Sequence, residues 1–294
     1  MQTVEALRAR IESTESLQSI VGTMKALAAM KIRQYERAVE SLTDYARTIE
    51  LGLYVVLRHA GRRLPEQAVE ARAGIVVFGS DQGLCGRFND EIADFTVEQL
   101  DRLGLRNEDL DVLAVGSRVA GRLAQAGLRP SDWLSLPNSV AKITGLVEEI
   151  LLAIDAWREE NGVQRVLLFH NRPIQRARYQ PVQVQLIPVE LERFASLSGE
   201  GWPTRILPTF TMERERLLAA LIRQYLFVSL HRASAESLAS ENGSRLSSMQ
   251  AAQRNIDDRL EELESRYRYL RQSTITEELL DVVAGFETLT AADS

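Results

Sequence analysis

The sequence predicts an α/β protein in which a mostly parallel, Rossmann-like α/β domain is inserted between two long helices that form an antiparallel two-helix coiled coil. Three observations predict this fold. Roughly eighty residues at the C-terminus lack proline and place apolar side chains at alternating intervals of three and four. The N-terminal segment shows the same pattern. Between the two segments, short β-branched runs alternate with helical stretches.

The C-terminal helix is predicted from Met212 to Leu289. A seam with a period of 3.5 residues is typical of a left-handed coiled coil. At 1.5 Å per residue, such a helix is on the order of 100 Å long and needs a partner along its apolar stripe. Gln253 and Thr274 occupy polar seam positions. The apolar seam residues are Leu246, Met249, Ile256, Leu260, Leu263, Tyr267 and Leu270.

The N-terminal helix is predicted from Thr3 to Arg58, and a polar break at 59–73 follows it. Thr14 and Lys31 occupy weak seam positions. Because each terminal helix has one apolar stripe, the simplest arrangement pairs them as an antiparallel hairpin. The apolar seam residues are Val4, Leu7, Ile11, Leu17, Val21, Met24, Ala28, Tyr35, Leu42, Ile49 and Leu53.

The central segment predicts a small, largely parallel sheet with helical crossovers. Asn138 or Ser139 is expected to cap the last of its helices, and 193–208 is expected to be irregular. We therefore expect three parts, 1–58, 73–190 and 209–289. The predicted strands are Gly74–Phe78, Asp111–Val115, Val163–His170 and Val182–Ile187, and the predicted helices are Asn89–Asp101, Ser117–Gln125 and Ser139–Glu160.

Composition excludes several classes of protein. The net charge of −6 over 294 residues gives no indication of nucleic-acid binding. One cysteine and three scattered histidines indicate neither an internal disulfide nor a metal site. The N-terminus has no signal-peptide pattern, and the longest apolar block, Leu217–Leu230, is too short to span a bilayer. Any attachment to a membrane is therefore expected to run through another protein.

A glycine-rich loop follows the first predicted strand, and its residues of interest are Gly79, Asp81, Gly83, Cys85 and Gly86. A strand, a glycine-rich loop and a helix can cradle phosphate. However, the spacing matches neither dinucleotide nor phosphate-loop motifs. A tight structural turn is the favoured hypothesis, and a nucleotide site is the alternative. No nearby histidine is present to activate the Cys85 thiol, so a nucleophilic role is weaker still.

Charge is unevenly distributed on both terminal helices. No acidic residue lies between Ser16 and Tyr35, where Lys25, Lys31 and Arg33 occur. This stretch is either a solvated face or a basic collar that meets carboxylates of a partner. A cluster of glutamates at 261–264, flanked by arginines, predicts a salt-bridged outer face, not a catalytic carboxylate pair.

The last part of the C-terminal helix combines acidic and apolar side chains after Arg271. One hypothesis is an amphipathic helix end packed on its neighbour. The other follows from the longer C-terminal helix, whose tip would project beyond the N-terminal helix and require a sleeve of other subunits. The apolar side chains concerned are Ile275, Leu279, Leu280, Val282, Val283 and Phe286.

Several of these segments resemble the gamma subunit of rotary F-type ATP synthases. The most specific is Arg271-Gln-Ser-Thr-Ile-Thr-Glu-Glu-Leu-Leu-Asp281, which closes with Gly285 and resembles the C-terminal signature of the family. Ser80-Asp-Gln-Gly-Leu-Cys-Gly86, with Asn89, resembles its first-strand loop. Ala239–Asn242 with Met249, and the stretch from Met24 to Lys31, resemble its helical segments.

The resemblance implies a non-catalytic rotor shaft in the central stalk, with no cofactor or metal of its own. It would turn inside a hexamer of alpha and beta subunits, coupling proton or sodium ion flow through a membrane ring of c subunits to ATP synthesis or hydrolysis on beta. The α/β domain and 193–208 would meet the epsilon subunit and the ring. The location implied is peripheral, at the cytoplasmic face of the bacterial inner membrane. The implied hexamer contacts are Met24, Lys25, Arg271, Gln272, Thr276 and Glu278.

Departures from the family pattern include Phe286 after the glycine and Arg87-Phe88 in the loop. They favour a divergent branch, for which an alternative F-type ATPase with another coupling ion is one interpretation. Two other classes of function stay open at this point. One is a nucleotide- or metabolite-binding enzyme that uses the loop at 79–86, and the other is a coiled-coil scaffold with no rotary role.

Overall fold

The computed structural model describes residues 3–57, 72–174, 178–191, 194 and 208–292, with side chains described as far as residue 283. The chain divides into two compact units. The first comprises Met1–Leu27 and Ser247–Ser294, and the second comprises Ala28–Leu246. Two long helices, α1 (Val4–Leu57) and α5 (Arg214–Ala292), contribute to both units.

In the first unit, α1 and α5 run antiparallel. The Gln18 amide donates to the Asp257 carboxylate at 2.6 Å, and the Lys25 ammonium donates to the Gln253 amide oxygen at 2.5 Å. Residue numbers therefore fall along α5 as they rise along α1. This pairing confirms that the two ends of the chain associate as a helical hairpin.

The buried seam of this unit follows the predicted alternation of three and four with one exception. Leu7, Met249 and Leu263 are each only 3% exposed, and burying one such side chain contributes about 1.5–3 kcal/mol. The placement of Leu17 in the seam is wrong, because this side chain is 52% exposed. The alternating spacing that runs from Leu7 to Thr14 places the next seam position at Gln18, one residue after Leu17. The Gln18 side chain makes the contact with α5.

The second unit contains a five-stranded sheet in the order β3-β2-β1-β4-β5. Neighbouring strands are parallel except β4 and β5, which are antiparallel. The elements are β1 (Ala73–Phe78), α2 (Phe88–Arg102), β2 (Leu110–Val115), α3 (Ser117–Gln125), β3 (Asp132–Leu134), α4 (Ile143–Glu160), β4 (Arg165–Ile174) and β5 (Arg178–Ile187), with 3₁₀ turns at Asn107–Asp109 and Val140–Lys142.

Three details differ from the sequence-based expectation. The short edge strand β3 was not predicted, because three residues are too few to show a period. The predicted helix Ser139–Glu160 divides into the 3₁₀ turn and α4. Its predicted cap is wrong, since Ser139 makes no side-chain capping hydrogen bond and α4 begins after Lys142.

Both faces of the sheet are covered, as its apolar strands require. Val77 and Ala114 pack with α2 and α3 on one face. Val76 and Phe78 point to the opposite face, where α4 packs together with side chains of α1 and α5 that include Tyr35. The long helices of this unit are therefore part of the same core as the sheet.

None of the helices in the described part of the chain combines the length and apolarity needed to cross a bilayer. Most of the predicted polar break at 59–73 and of the predicted irregular stretch at 193–208 lies outside the described residues, as do Arg58 and the Phe286 side chain.

Candidate partner surfaces and the glycine loop

The glycine loop between β1 and α2 is a closely packed turn. A Cβ atom at Gly79 would lie 2.2 Å from the Cβ of Val119, so only glycine permits this approach of the loop to α3. Gly86 has a positive φ of 58°, and so does Leu84, at 63°. At Gly83, in contrast, a Cβ atom would meet nothing within 4 Å. The need for glycine is thus confined to particular positions in the loop.

Asp81 has a structural role in this turn. One carboxylate oxygen accepts the backbone N–H of Ser117 at 2.8 Å, and the other accepts that of Leu136 at 2.7 Å. The first of these N–H groups opens α3, where a carboxylate is favoured by the helix dipole. Both oxygens are therefore engaged with backbone donors.

Cys85 is buried beneath the same turn, with 2% exposure. Its Sγ lies 3.5 Å from the Ser80 hydroxyl and 3.6 Å from the Asn89 amide. Burial raises the pKa of the thiol, so the reactive thiolate is disfavoured. Asn89 also accepts the Ser80 N–H at 2.9 Å and donates to the Ser80 hydroxyl at 2.8 Å. The polar atoms of the loop thus bond mainly to one another.

Helix α5 contacts the loop through two side chains. The Ser244 hydroxyl donates to the carbonyl of Cys85 at 2.6 Å. The Arg245 guanidinium lies 3.4 Å from the carbonyls of Gln82 and Gly83, and it pairs with Glu241 at 2.6 Å. A guanidinium bound to backbone carbonyls is a structural clamp on the loop.

A buried carboxylate, that of Glu236, lies on α5 about two helical turns before Ser244. Its side chain is 5% exposed. It accepts from the Nε2 of His170 at 2.8 Å, from Arg232 at 2.8 Å and from Arg172 at 3.1 Å. Burial raises the pKa of Glu236, but the hydrogen bonds from His170 and Arg232 and the positive charge of Arg172 outweigh burial and lower the pKa to about 2.

His170 is the neutral partner in this cluster. Burial lowers its pKa, and its Nδ1 has no hydrogen-bond partner among the described residues. A protonated ring would place an unsatisfied N–H donor there. The ionised Glu236 can only accept, so the Nε2 of His170 carries the proton. A cavity of about 440 Å³ adjoins the cluster, lined also by Glu50 and Glu190.

No group of three or more histidine, cysteine or acidic side chains in the described ranges is arranged to hold a metal ion. The glutamates at 261–264 form the expected outer face of α5. Glu262 pairs with both Arg259 and Arg266, at spacings of three and four residues.

Among the side chains described at the α5 tip, which extend to residue 283, the apolar ones are exposed to solvent. The start of α1 shares a groove with α5 that extends only as far as Glu277. Beyond it Leu279, Leu280 and Val282 are 61%, 62% and 70% exposed. The hypothesis that this end packs on its helical neighbour is therefore wrong for the described side chains.

The six side chains expected to face partner subunits lie in two groups within the first unit. Arg271, Gln272, Thr276 and Glu278 are exposed near the tip of α5, and the Thr276 hydroxyl donates to the carbonyl of Gln272 at 2.8 Å. Met24 and Lys25 are half-buried on α1. The Lys25 ammonium is bound to Gln253 and is not a fully free cation.

Sequence reasoning missed the polar contacts of α5 with the sheet. Glu236 was not singled out, and no contact with the sheet was predicted for Ser240 or Ser244, although their spacing of four residues places all three on one side of the helix. The heptad pattern is defined by its apolar positions, so it gives no indication of a row of buried polar side chains. Their partners are distant in sequence, for example 159 residues between Ser244 and Cys85.

Comparison with known proteins gives a consistent result along the whole chain. Residues 3–289 match a family model described as ATP synthase. The ATP synthase gamma chain of Nitrosomonas europaea is 26% identical, over 97% of this chain and 99% of its own length. That of Granulibacter bethesdensis is 29% identical, over 98% of this chain and 100% of its own length.

Solved structures show the same fold. A chain in the cryo-EM structure of the Euglena gracilis mitochondrial ATP synthase, OSCP/F1/c-ring, superposes with a TM-score of 0.67 at 16% identity, covering 99% of this chain and 96% of its own. A chain of the rotor of the same enzyme gives a TM-score of 0.62 at 16% identity, covering 92% and 98%. At these identities the likeness establishes the fold alone, with an N-terminal helix, a central mixed α/β sheet and a long C-terminal helix.

Proposed function

This chain belongs to the ATP synthase gamma-chain family, and from that premise we propose that it is the rotor shaft of an F-type ATP synthase, turning inside a hexamer of alpha and beta subunits. Ion flow through a membrane ring of c subunits, carrying protons or sodium ions, drives this rotation. ATP is made or hydrolysed at sites on beta, and this chain contributes no catalytic group.

The observation that carries the proposal is the exposed apolar tip of α5. Leu279, Leu280 and Val282 lie beyond the groove shared with α1, and each is more than half exposed. An exposed apolar helix end of this kind marks a surface that binds other subunits. A sleeve formed by the hexamer covers this surface.

The polar residues near the tip supply directional contacts to the same sleeve. We assign this role to Arg271, Gln272, Thr276 and Glu278, which are exposed on the helix. Met24 and Lys25 form a second contact region on α1, facing acidic loops of beta. Because Lys25 is bound to Gln253, it meets a carboxylate by sharing its remaining N–H donors.

The remaining parts of the chain take the other roles in the stalk. Residues 1–58 and 209–289 form the coiled-coil shaft, and 73–190 form the foot that meets the epsilon subunit and the ring. The chain thus attaches to the cytoplasmic face of the bacterial inner membrane through its partners. The glycine loop shapes the foot, since its polar atoms bond within the turn and to α5.

The direct test is reconstitution of the hexamer from alpha and beta subunits with and without this chain. We expect ATP hydrolysis by the complex and none by the isolated chain. A label on Leu152→Cys, an exposed position of α4, should rotate relative to the immobilised hexamer when ATP is added. A label that stays static in an actively hydrolysing complex contradicts the rotor function.

A further inference from the structure

A row of polar side chains connects α5 to the sheet within the second unit. From Ala233 to Arg245 every residue of α5 is buried. Glu236, Ser240 and Ser244 recur every fourth residue and lie along one side of the helix. Their contacts fall on β4 and on the loop after β1, two neighbouring strands of the sheet.

The three contacts lie beyond the carboxyl-terminal ends of the parallel-paired segments of β1 and β4. The parallel pairing of β1 with β4 ends at Val77 and Phe169. Immediately after it, Glu236 binds His170 and Arg172, and the Ser240 hydroxyl donates to the carbonyl of Asn171 at 3.0 Å.

The third contact lies at the end of the neighbouring strand. There the Ser244 hydroxyl reaches the carbonyl of Cys85 at 2.6 Å, in the loop that follows β1. One face of α5 is therefore tied to the carboxyl ends of two adjacent strands.

These polar contacts are directional, whereas the apolar contacts of the same helix are not. Leu230, Leu238 and Ala239 are buried in the core between the sheet and the helices, but the hydrophobic effect that holds them there has no preferred direction. A shift or rotation of α5 would separate the Glu236 carboxylate from His170 and Arg172 on β4, because only Arg232 lies on the same helix and moves with it. A buried charge that loses such partners is strongly destabilising. The contacts of Glu236 therefore favour a single rotation and axial position of α5 relative to β4.

We propose that Glu236 is a positioning residue that fixes the α/β domain on α5 in rotation and axial register, so that torque applied to the domain reaches the helix without slip. This inference rests on the proposed rotor function. Ser240 and Ser244 extend the same attachment along the helix by two further turns. Loss of the attachment uncouples ion flow from ATP turnover while the catalytic sites on beta stay intact.

The test uses the complete complex reconstituted in vesicles with Glu236→Gln. The quantity measured is the ratio of ATP-driven ion pumping to ATP hydrolysis. We expect the ratio to fall by about threefold or more, because positional coupling of this kind is sensitive to single substitutions, with hydrolysis retained. Hydrogen exchange of the 79–86 loop and of 170–172 should accelerate in the same assembled complex.

Glu262→Gln is the matched control. Glu262 is on the same helix and also binds two arginines, but its side chain is 42% exposed. Its ratio should equal that of the unaltered complex. Equal ratios for the two variants, whether both unchanged or both reduced, overturn the inference.

A second variant, Ser240→Ala with Ser244→Ala, keeps the inference testable if Glu236→Gln does not assemble. We expect a smaller fall in the ratio, since two neutral hydrogen bonds are lost and no charge is stranded. An unchanged ratio in that case overturns the inference. Failure of the unaltered complex to hydrolyse ATP or pump ions would instead refute the rotor function itself.

Discussion

The carboxylate of Asp81 holds the first backbone N–H of α3, that of Ser117, at 2.8 Å. The second oxygen of Asp81 holds the N–H of Leu136 at 2.7 Å. One loop side chain thus joins the starts of two segments that follow neighbouring strands. The glycine loop contains an acidic residue because its carboxylate accepts hydrogen bonds from these two backbone N–H groups.

Replacing Asp81 with alanine should destabilise the chain by about 2–3 kcal/mol, because two backbone donors lose their acceptor. Chemical denaturation of the purified chain measures this change. Asp94→Ala, at an exposed position on α2, is the matched control and should change stability by less than about 0.5 kcal/mol. A small effect at Asp81 would show that water replaces its contacts.

Two glycines of the loop should respond very differently to alanine. At Gly79 the new Cβ would lie 2.2 Å from Val119, and relieving that overlap should cost about 1–3 kcal/mol or more. At Gly83 nothing lies within 4 Å, so Gly83→Ala should change stability by no more than about 0.5 kcal/mol. Thermal unfolding of both variants distinguishes them, and similar melting temperatures would contradict the packing described for Gly79.

Acid should destabilise the chain partly through Glu236. Its pKa is lowered to about 2 from an ordinary value of 4.5, so the folded state favours the ionised form. The stability that this group contributes is present above pH 4.5 and is lost as the pH falls towards 2. The surrounding groups are His170, Arg172 and Arg232.

Glu236→Gln should therefore show a shallower loss of stability across that acidic range than the unaltered chain. Unfolding free energies at a series of pH values measure the two slopes, and Glu262→Gln serves as the exposed control. Parallel curves for Glu236→Gln and the unaltered chain would show that the carboxylate does not titrate with a lowered pKa.

The tip of α5 should be needed for assembly but not for the fold of the chain. Leu279→Asp with Leu280→Asp places charges on side chains that are 61% and 62% exposed, so the melting temperature of the isolated chain should change little. Binding to the alpha and beta hexamer should weaken at least tenfold, because apolar contacts with the sleeve are lost.

Leu152→Asp is the matched control for the tip variant, since Leu152 is 69% exposed on α4 and lies in the other unit. Hexamer binding by this variant should equal that of the unaltered chain. Unimpaired binding by the tip variant would mean that the hexamer does not cover Leu279 and Leu280.

Features with a local period were predictable from the sequence. The seam of α5 was predicted from Leu246 to Leu270 because apolar spacing repeats along a single helix, and Met249, Leu260 and Leu263 within it are buried. The strand Asp111–Val115 was recognisable because β-branched residues and a following glycine mark buried strands. Leu17 was misplaced because it and Gln18 differ by one position, and the apolar residue was preferred over the spacing. Such an error is expected where a polar side chain occupies a seam.

The candidate surfaces were only partly predictable. The apolar tip of α5 was anticipated from the unequal lengths of the two terminal helices. Glu236 was not anticipated, because its partners His170 and Arg172 lie 66 and 64 residues away in the sequence. Nothing in the local pattern distinguishes a buried, triply bound glutamate from an exposed one.

The sequence by itself determined the two long helices, their antiparallel association and the alternation of strands and helices between them, because each depends on a short repeating pattern of apolar side chains. The tertiary structure alone decided the strand order, the antiparallel direction of β5 and the polar row that ties α5 to the sheet. Hydrogen bonds between distant segments depend on where the fold places individual atoms, and no periodicity of the chain records that placement.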